Sequence, residues 1–519
     1  MSKGKRKKVV FKSYSQGQSL LFPPSLDELL SSDHPVRVVS SIIDQVNLKP
    51  LLSSYQGGGA SNYHPKMLLK ILIYGYMNNI YSSRKLEKAV HEQIPFMWLS
   101  GMSRPDHHTI NRFRGKRLQE GFRKVFDEVV LLLVKEGYLS LKQSYTDGTK
   151  IEANASKYSF VWAKSIETNT EKIRKQLHEL WAYAQGIAQA DHQLEALDLA
   201  QIDSAKVLET VEKIDAVLQG KTVDKKVKQK INYAKKKWPA KLDEYEKKKE
   251  VLAGRGSYSK TDPDATFMRL KDDHMRNKSL KAAYNWQCTS SGQFILGYSI
   301  HQNPSDTPTY KAHLEQLQEG LGSLPESNCA DAAYGSEENY AYLAQKQVIG
   351  YLKYNRFHKE LKGKWKDNPF DVRNLYYNEA KDCYYCPMGQ AMNFVATSHR
   401  KTKNGHPYLV HRYQAQNCQG CPLRGSCHKS KNNRSIEINY QLKKYRKQAR
   451  DLLTSEEGVK QRGNRAQDIE GVFGQIKQNA QFRRFMLRGK DKVTTEIGLV
   501  CLAHNLKKRI NAQKAKKVA

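Results

Sequence analysis

Apolar positions recur at helical spacing through much of the first 140 residues. Pro65 can open a helix in which Leu68, Ile71, Leu72 and Tyr76 share one face. A second helical stretch begins near Ser82 and Ser83, and a third follows the break from Gly101 to Pro105. In that third stretch, DHHTINRFRGKRL, Asp106 is the N-cap, Ile110 and Phe113 face inward, and Asn111, Arg112, Arg114 and Arg117 are left outside.

Between residues 163 and 255 the apolar positions form three groups. Ile166, Ile173, Leu177 and Leu180 mark the first, Val207, Val211, Ile214 and Leu218 the second, and Val227, Ile231, Ala234 and Trp238 the third. The spacing predicts a helical hairpin or short coiled coil with charged faces, inserted into another domain. On either side of it the period shortens to two. Tyr145, Asp147, Thr149 and Ile151 alternate with their neighbours, so Asp147 lies on the face of Tyr145. Tyr284, Trp286 and Cys288, a turn at Ser291 and Gly292, then Phe294, Leu296, Tyr298 and Ile300 predict a β-hairpin. A further strand would end at Asp331, and residues 347–354 predict another. From 461 to 477 the period is helical again, with Ile469, Val472, Phe473 and Ile476 at i, i+3, i+4 and i+7. That spacing sets Glu470 and Lys477 together at the border of the apolar stripe.

Composition adds a partner class to this α/β pattern. The 519 residues suffice for two to four domains, and 87 Lys and Arg against 52 Asp and Glu leave a net charge of +35. So large a charge favours a polyanionic partner, since each cation that neutralises a phosphate releases condensed counterions. A ribosomal or membrane-surface partner would suit the same charge. No run of about 18 apolar residues and no apolar segment after the basic N-terminus supports a membrane span or a signal peptide. The expected setting is the cytosol, where eight cysteines serve as thiols or metal ligands before disulfides. With a nucleic acid as partner, the stretch around Arg112, Arg114 and Arg117 reads as a helix-turn-helix entering a major groove, or else as the basic solvated face of an ordinary bundle. The basic run KKVKQKINYAKKKW can touch a phosphate backbone or be a solvated coiled-coil face.

Asp147, Asp331 and Glu470 carry the candidate chemistry. Taken singly, an Asp before Gly is commonly a turn residue and an acid on a helix is commonly solvated. Brought together, three carboxylates would bind divalent metal: two ions about 4 Å apart can activate a water or a 3′-hydroxyl on one side of a phosphodiester and stabilise the leaving oxygen on the other. Magnesium keeps several waters, so few protein ligands are needed, and Lys477 would hold a phosphate as a point charge.

The chain resembles the DDE transposases of bacterial insertion sequences, in the subgroup with an N-terminal helical domain ahead of an RNase H-like catalytic domain. The likeness runs over nearly the whole length. SLDELLSSDHPVRVVSSIID, YHPKMLLKILIYGYMNNIYSSRKLE and RPDHHTINRFR resemble the helical domain. TDGTKIEANASKYSFVW and ADAAYGSEENY resemble the first two catalytic segments, TDPDATFM the entry to the hairpin, and IEGVFGQIKQNAQFRRFMLRGKDKVTTEIGLVCLAHNLKK the closing helices. The resemblance implies Asp147, Asp331 and Glu470 as the metal-binding triad, with two Mg2+ or Mn2+ ions. The spacing of Glu470 and Lys477 matches the end of the related YREK signature. The signature's tyrosine and arginine do not fall at the expected spacing, and Arg465, the nearest arginine, is one residue off. QCTSSG stands where many relatives carry an acid, so no catalytic role falls there, and Asp262 and Asp264 of TDPDA are read as structural or substrate-positioning.

The expected organisation is an α/β RNase H-like catalytic core (141–162, 256–375 and 432–512) with an N-terminal all-helical DNA-binding domain (1–140), a helical insertion (163–255) and a cysteine-rich insertion (376–431). In the last, Cys383 and Cys386 are followed by Cys418 and Cys421, with Cys427 and His428 beyond. Two such pairs suit a zinc ribbon, and they also suit thiols without metal; the spacing leaves open whether Cys427 replaces one ligand. Cys288, Cys329 and Cys501 read as small buried hydrophobes. The implied activity is binding of terminal inverted repeats, DNA cleavage and joining of 3′-hydroxyl ends to target DNA. Double-stranded DNA is then the partner, a homodimer or larger synaptic complex the assembly, and the bacterial cytoplasm, at the nucleoid, the location. An RNase H-like nuclease without strand transfer and a non-catalytic DNA-binding relative are the alternatives.

Overall fold

Helices precede the first strand throughout residues 35–135: α1 (Pro35–Gln45), α2 (Lys49–Leu52), α3 (Pro65–Met77), α4 (Ser83–Glu92), α5 (Ile94–Ser100), α6 (His107–Arg112) and α7 (Phe122–Lys135). The computed structural model describes residues 24–53, 55, 62–188, 198, 201–270, 279–363 and 366–518, and the basic N-terminal run lies outside them. Proline opens α1, α2, α3 and α5, at positions where its missing N–H forfeits no helical bond. Asp106 caps α6 as its sequence predicts, accepting from Thr109 N at 2.7 Å. α3 departs from the expected one-faced pattern: Leu69 and Ile73 are as buried as Leu72, because other helices pack around it.

β1 (Gln143–Glu152) and β2 (Phe160–Trp162) lead into α8 (Ala163–Ala188), α9 (Ser204–Leu218) and α10 (Lys225–Leu252). These pack pairwise into a three-helix bundle, not a two-helix hairpin, around Leu177, Val211, Ile214, Ala234 and Trp238. β3 (Ser257–Ser259) pairs with β2 and closes the excursion. Then come β4 (Thr266–Arg269), β5 (Leu280–Ser291), β6 (Phe294–His301), α11 (Tyr310–Leu321), β7 (Ser327–Ala330), α12 (Glu337–Gln345), β8 (Ile349–Leu352) and α13 (Phe357–Leu361). The main sheet runs β4-β5-β1-β7-β8, with β6 also on the outer edge of β5. β5 is antiparallel to β1, whereas β7 and β8 are parallel to it.

The cysteine-rich segment forms a second sheet, ordered β13-β12-β11-β10-β9. Its strands are β9 (Tyr377–Asn378), β10 (Cys383–Tyr385), β11 (Ala391–Lys401), β12 (Pro407–Ala415) and β13 (Ser435–Ile438), with the short α14 (Arg424–Cys427) between the last two. The chain ends in α15 (Tyr440–Thr454), α16 (Glu456–Arg465), α17 (Gly471–Gly474) and α18 (Lys490–Val518). Among the described residues no helix is long and apolar enough to cross a membrane.

α18 packs on α3 and α7 on one side and on β6 on the other, so the N-terminal helices and the sheet share one hydrophobic core. At that joint Arg114 is 2% exposed, which corrects its expected place at the surface. Its Nη1 donates to Tyr76 Oη at 3.0 Å and to the Tyr81 carbonyl at 2.6 Å. Tyr76 in turn donates to Glu496 at 3.3 Å, and Glu496 accepts from the backbone of Met486 and Leu487. Burial raises the Glu496 pKa, with the Arg114 charge opposing it. Arg114 is thus tied to a buried acid on the far end of the chain. Arg112 stays exposed, and Arg117 stacks over the Tyr55 ring at 5.0 Å.

A second buried polar chain lies behind β1, from Thr146 to Thr289 (2.7 Å), His313 (2.8 Å), Ser299 (2.8 Å) and His301 (2.7 Å). Burial, with Lys490 adding to it, pushes the His301 imidazole down to about 4. Burial also holds His313 well below the usual value.

Two outcomes follow. Arg114→Ala leaves Glu496 buried without its cation and should lower unfolding stability in urea by about 3–5 kcal/mol. Because the folded imidazoles refuse protons that the unfolded chain accepts, stability should fall as pH drops from about 6.5 to about 4. His301→Gln should flatten that fall by up to about 3 kcal/mol in urea titrations across the same range.

Candidate active site

Strand alternation divides β1 into two chemical faces. Toward the closing helices, Tyr145 Oη donates to Gln461 Oε1 at 2.7 Å, Asp147 Oδ2 accepts from Arg465 Nη1 at 3.1 Å, and Thr149 Oγ1 accepts from Lys477 Nζ at 2.7 Å. On the opposite face Asn328 Nδ2 donates to both Ser144 and Thr146 at 2.8 Å, and Lys150 Nζ meets Asp306 at 3.2 Å. Asp147 therefore stands in the middle of a central strand, and its side chain is only 10% exposed. Gly148 follows it because a Cβ there would collide with the Gln287 amide and come within 2.8 Å of Asp306 Oδ1.

Asp331 is the residue after β7. Thr146 pairs with Ala330, so Asp147 and Asp331 take the next position on adjacent parallel strands. The Asp331 carboxylate accepts from Ala332 N at 2.7 Å and caps the turn Ala332–Tyr334. Two bonds hold that turn: Tyr334 Oη donates to Gln287 Oε1 at 2.6 Å, and Thr307 Oγ1 donates to the Ala333 carbonyl at 2.6 Å. Nothing in the local sequence marks Gln287 or Thr307 for this task, since both act across the fold.

Glu470 arrives from the helical side, where Arg465 Nη2 reaches its Oε1 at 3.0 Å. In an α-helix, residues five apart point about 140° away from each other, given roughly 100° per residue. Ala466–Glu470 is instead a π-helical turn, whose i→i+5 bonding takes up one extra residue and brings Arg465 and Glu470 to one side. Asp468 fastens the turn to the β5–β6 hairpin, accepting from Ser290 Oγ at 2.6 Å and from Gln293 N at 3.0 Å. A second π turn, Gln475–Asn479, carries Lys477. Glu470 and Lys477 thus differ in setting: the Glu470 side chain is 54% exposed, and Lys477 is buried against Thr149.

Arg465 is the electrostatic centre. Burial works against its charge, yet Asp147, Asp331 and Glu470 together hold its pKa above the usual guanidinium value. Three acids from a strand, a strand end and a helix thus act on one cation. Among the described residues, no group of three or more His, Cys, Asp or Glu side chains stands close enough together to hold a metal ion. The donor set still suits a hard divalent ion, because it is all carboxylate and a cation already sits against it.

Asp262 and Asp264 serve elsewhere. Asp262 accepts from Tyr284 Oη at 2.9 Å and from Gly489 N at 3.1 Å, and Asp264 accepts from Lys490 N at 2.8 Å at the start of α18. Cys288, Cys329 and Cys501 are buried. In the second sheet Cys386, Cys418, Cys421 and Cys427 line one cavity of about 30 Å³ with His428 and Arg434. Cys383 is not among them: Tyr384 packs in the core that Cys386 and Cys418 join, so alternation turns Cys383 to the other face. Cys427 lines the cavity in company with Cys386, Cys418 and Cys421. Arg434 donates from its backbone N–H to Cys418 Sγ at 3.3 Å and from Nη1 to Cys427 Sγ at 3.0 Å.

Two stretches match known families. Residues 24–116 match the family described as Transposase domain (DUF772), and residues 385–510 match the one described as Transposase DDE domain. The second match contains Glu470, Lys477 and the four cysteines that line the cavity, and excludes Asp147 and Asp331. No curated protein and no solved structure matches the chain.

Asp468→Ala removes two bonds to a buried carboxylate and should cost about 1.5–3 kcal/mol in urea unfolding. Amide exchange over residues 466–470 should rise in the same variant, because those bonds anchor the π turn.

Proposed function

We propose that this chain, whose two family matches support a DDE transposase of the insertion-sequence type, binds the terminal inverted repeats of its element. It then cleaves DNA and joins the 3′-hydroxyl ends to target DNA. The observation that carries the reading is that Asp147 and Glu470 share one buried guanidinium while Asp331 takes the register position beside Asp147, three acids from three separate segments. The sheet supports an RNase H-like core: with the short β4 on the edge of β5 set aside, the strands along β6, β5, β1, β7 and β8 stand third, second, first, fourth and fifth in the chain, and the second is antiparallel.

Asp147, Asp331 and Glu470 are the residues that would hold Mg2+ or Mn2+. A bound pair of such ions supplies activation of the attacking oxygen and stabilisation of the leaving one. Asp147 is fixed by β1 and Asp331 by its capped turn, so two of the three acids keep their places before any ligand arrives. Glu470, the exposed member, is free to adjust. Lys477 sits at Thr149, one alternation along β1 from Asp147 and so about 7 Å away along the strand, where its ammonium can meet a phosphate next to the reacting one. Arg112, within the stretch matching the first family, and Arg117, one residue past its end, lie on the helical segment that would contact element ends.

The division into an N-terminal helical domain, a catalytic domain and two insertions belongs to the same reading. It is supported by separate cores for the three-helix bundle and for the cysteine-rich sheet. Cys386, Cys418, Cys421 and Cys427 line the cavity where a structural zinc would be held, but they would have to draw closer together to share one, and Arg434 donates to two of the sulfurs as they stand. Two element ends must be held together for joining, so a homodimer or larger synaptic complex is the working assembly, in the bacterial cytoplasm at the nucleoid.

With labelled element ends, target DNA and Mg2+, joined products are the expected result. Cut ends alone would make the chain a nuclease, and a mobility shift without cutting would make it a DNA-binding protein. Asp147→Ala, Asp331→Ala and Glu470→Ala should each slow cutting about 100-fold or more, the factor given by several kcal/mol of lost transition-state stabilisation, while binding persists. Full activity of any one of them would remove that residue from the site.

A further inference from the structure

Arg465 stands on the ground that a metal ion would need. It divides its guanidinium between Asp147 at 3.1 Å and Glu470 at 3.0 Å, with Asp331 adding to the field. We propose that Arg465 is the resident counter-ion of the acidic cluster, and that it gives way when a divalent cation enters. Guanidinium and metal then compete for the same carboxylates. This rests on the reading of the three acids as a metal site.

Burial explains why a counter-ion is required. The Asp147 and Arg465 side chains are 10% and 8% exposed, and a buried carboxylate left unpaired costs several kcal/mol. Asp331, next in register, adds a second negative charge to the same ground. Without metal, a protein cation has to stand there.

The manner of attachment explains why it can leave. Arg123, a fixed strut, donates from all three nitrogens to Asp127 and to the carbonyls of Tyr298 and Gln316. Arg465 uses only its two terminal nitrogens, both on the acids, and its buried Nε has no hydrogen-bond partner among the described residues. Neutralise the acids with another cation, and little else retains the guanidinium. The partner on the helical side is also the exposed acid, Glu470, which can turn away with its half of the bridge. The π turn sets this up, since it is what puts residues 465 and 470 on one side. Arg465 is a positioning residue in this account: it holds the acids in place before metal and leaves them to it.

The test is Mn2+ affinity of the full chain without DNA, by calorimetry or by the electron paramagnetic resonance signal of free Mn2+, with folding followed by thermal unfolding. Arg465→Gln should bind Mn2+ about tenfold tighter than wild type, the factor that loss of one competing charge-assisted hydrogen bond supplies. Its metal-free melting temperature should fall and recover with Mn2+. Arg465→Lys keeps the charge without the fork and should bind with intermediate affinity; it carries the test if the Gln variant does not fold. A merely structural arginine would give the opposite sign, with Mn2+ binding weakened in step with stability. Equal or weaker binding by the variants would overturn the proposal while leaving the metal site intact. Failure of wild type and variants alike to bind Mn2+, or binding undiminished in Asp147→Ala, would overturn the metal site itself and this proposal with it.

Discussion

Carboxylates set side by side in a largely buried strand pair repel one another unless a cation stands between them, and the architecture of this chain answers that constraint with Arg465. β1 supplies Asp147 from its middle and β7 releases Asp331 at its end, in adjacent register positions. The same face of β1 meets the closing helices at three successive alternate residues, 145, 147 and 149, which touch Gln461, Arg465 and Lys477. A single strand thus aligns an anchoring tyrosine, an acid and a lysine-binding threonine against one helical segment. The π turn lets that segment present Arg465 and Glu470 together, and Asp468 fixes the turn to the hairpin behind it.

The surrounding structure stiffens that arrangement from several directions. Tyr334 and Thr307 hold the turn after Asp331, and helix α12 follows it directly. The tip of the β11–β12 hairpin docks on α12: Thr402 and Asn404 both donate to Glu338. The cysteine-rich sheet therefore braces the helix that follows the turn after Asp331. On the other side α18 ties the N-terminal helices to the sheet through Arg114, Tyr76 and Glu496. The element that reads as a surface for DNA and the element that reads as catalytic are thus mechanically joined by a shared core.

How much of this was legible in the chain depended on whether the cause was local. Period 3.6 over the three helical groups from 166 to 238 identified the helices because one face is buried, and period two over residues 145–151 and 284–300 identified the strands because side chains alternate between an apolar face and an equally buried polar one. Asp106 as a cap and the buried Cys288, Cys329 and Cys501 were readable for the same reason. Arg114 was not: it sits in a basic run, and only a glutamate 382 residues later explains its burial. That Cys427 and not Cys383 lines the cavity was left open by the spacing, because the face of a strand decides it. The π turn was hidden as well, because a one-residue change of helical pitch leaves no mark in the apolar spacing. Gln287 and Thr307, which hold the turn after Asp331, carry no local signal at all.

The most direct measurement is a crystal structure of the full chain with Mn2+, phased for the anomalous signal of manganese. The account predicts anomalous density in contact with Asp147, Asp331 and Glu470, with the Arg465 guanidinium moved off at least one of its two acids. Arg465 still bridging Asp147 and Glu470 at saturating Mn2+, with no manganese at the three carboxylates, would contradict it.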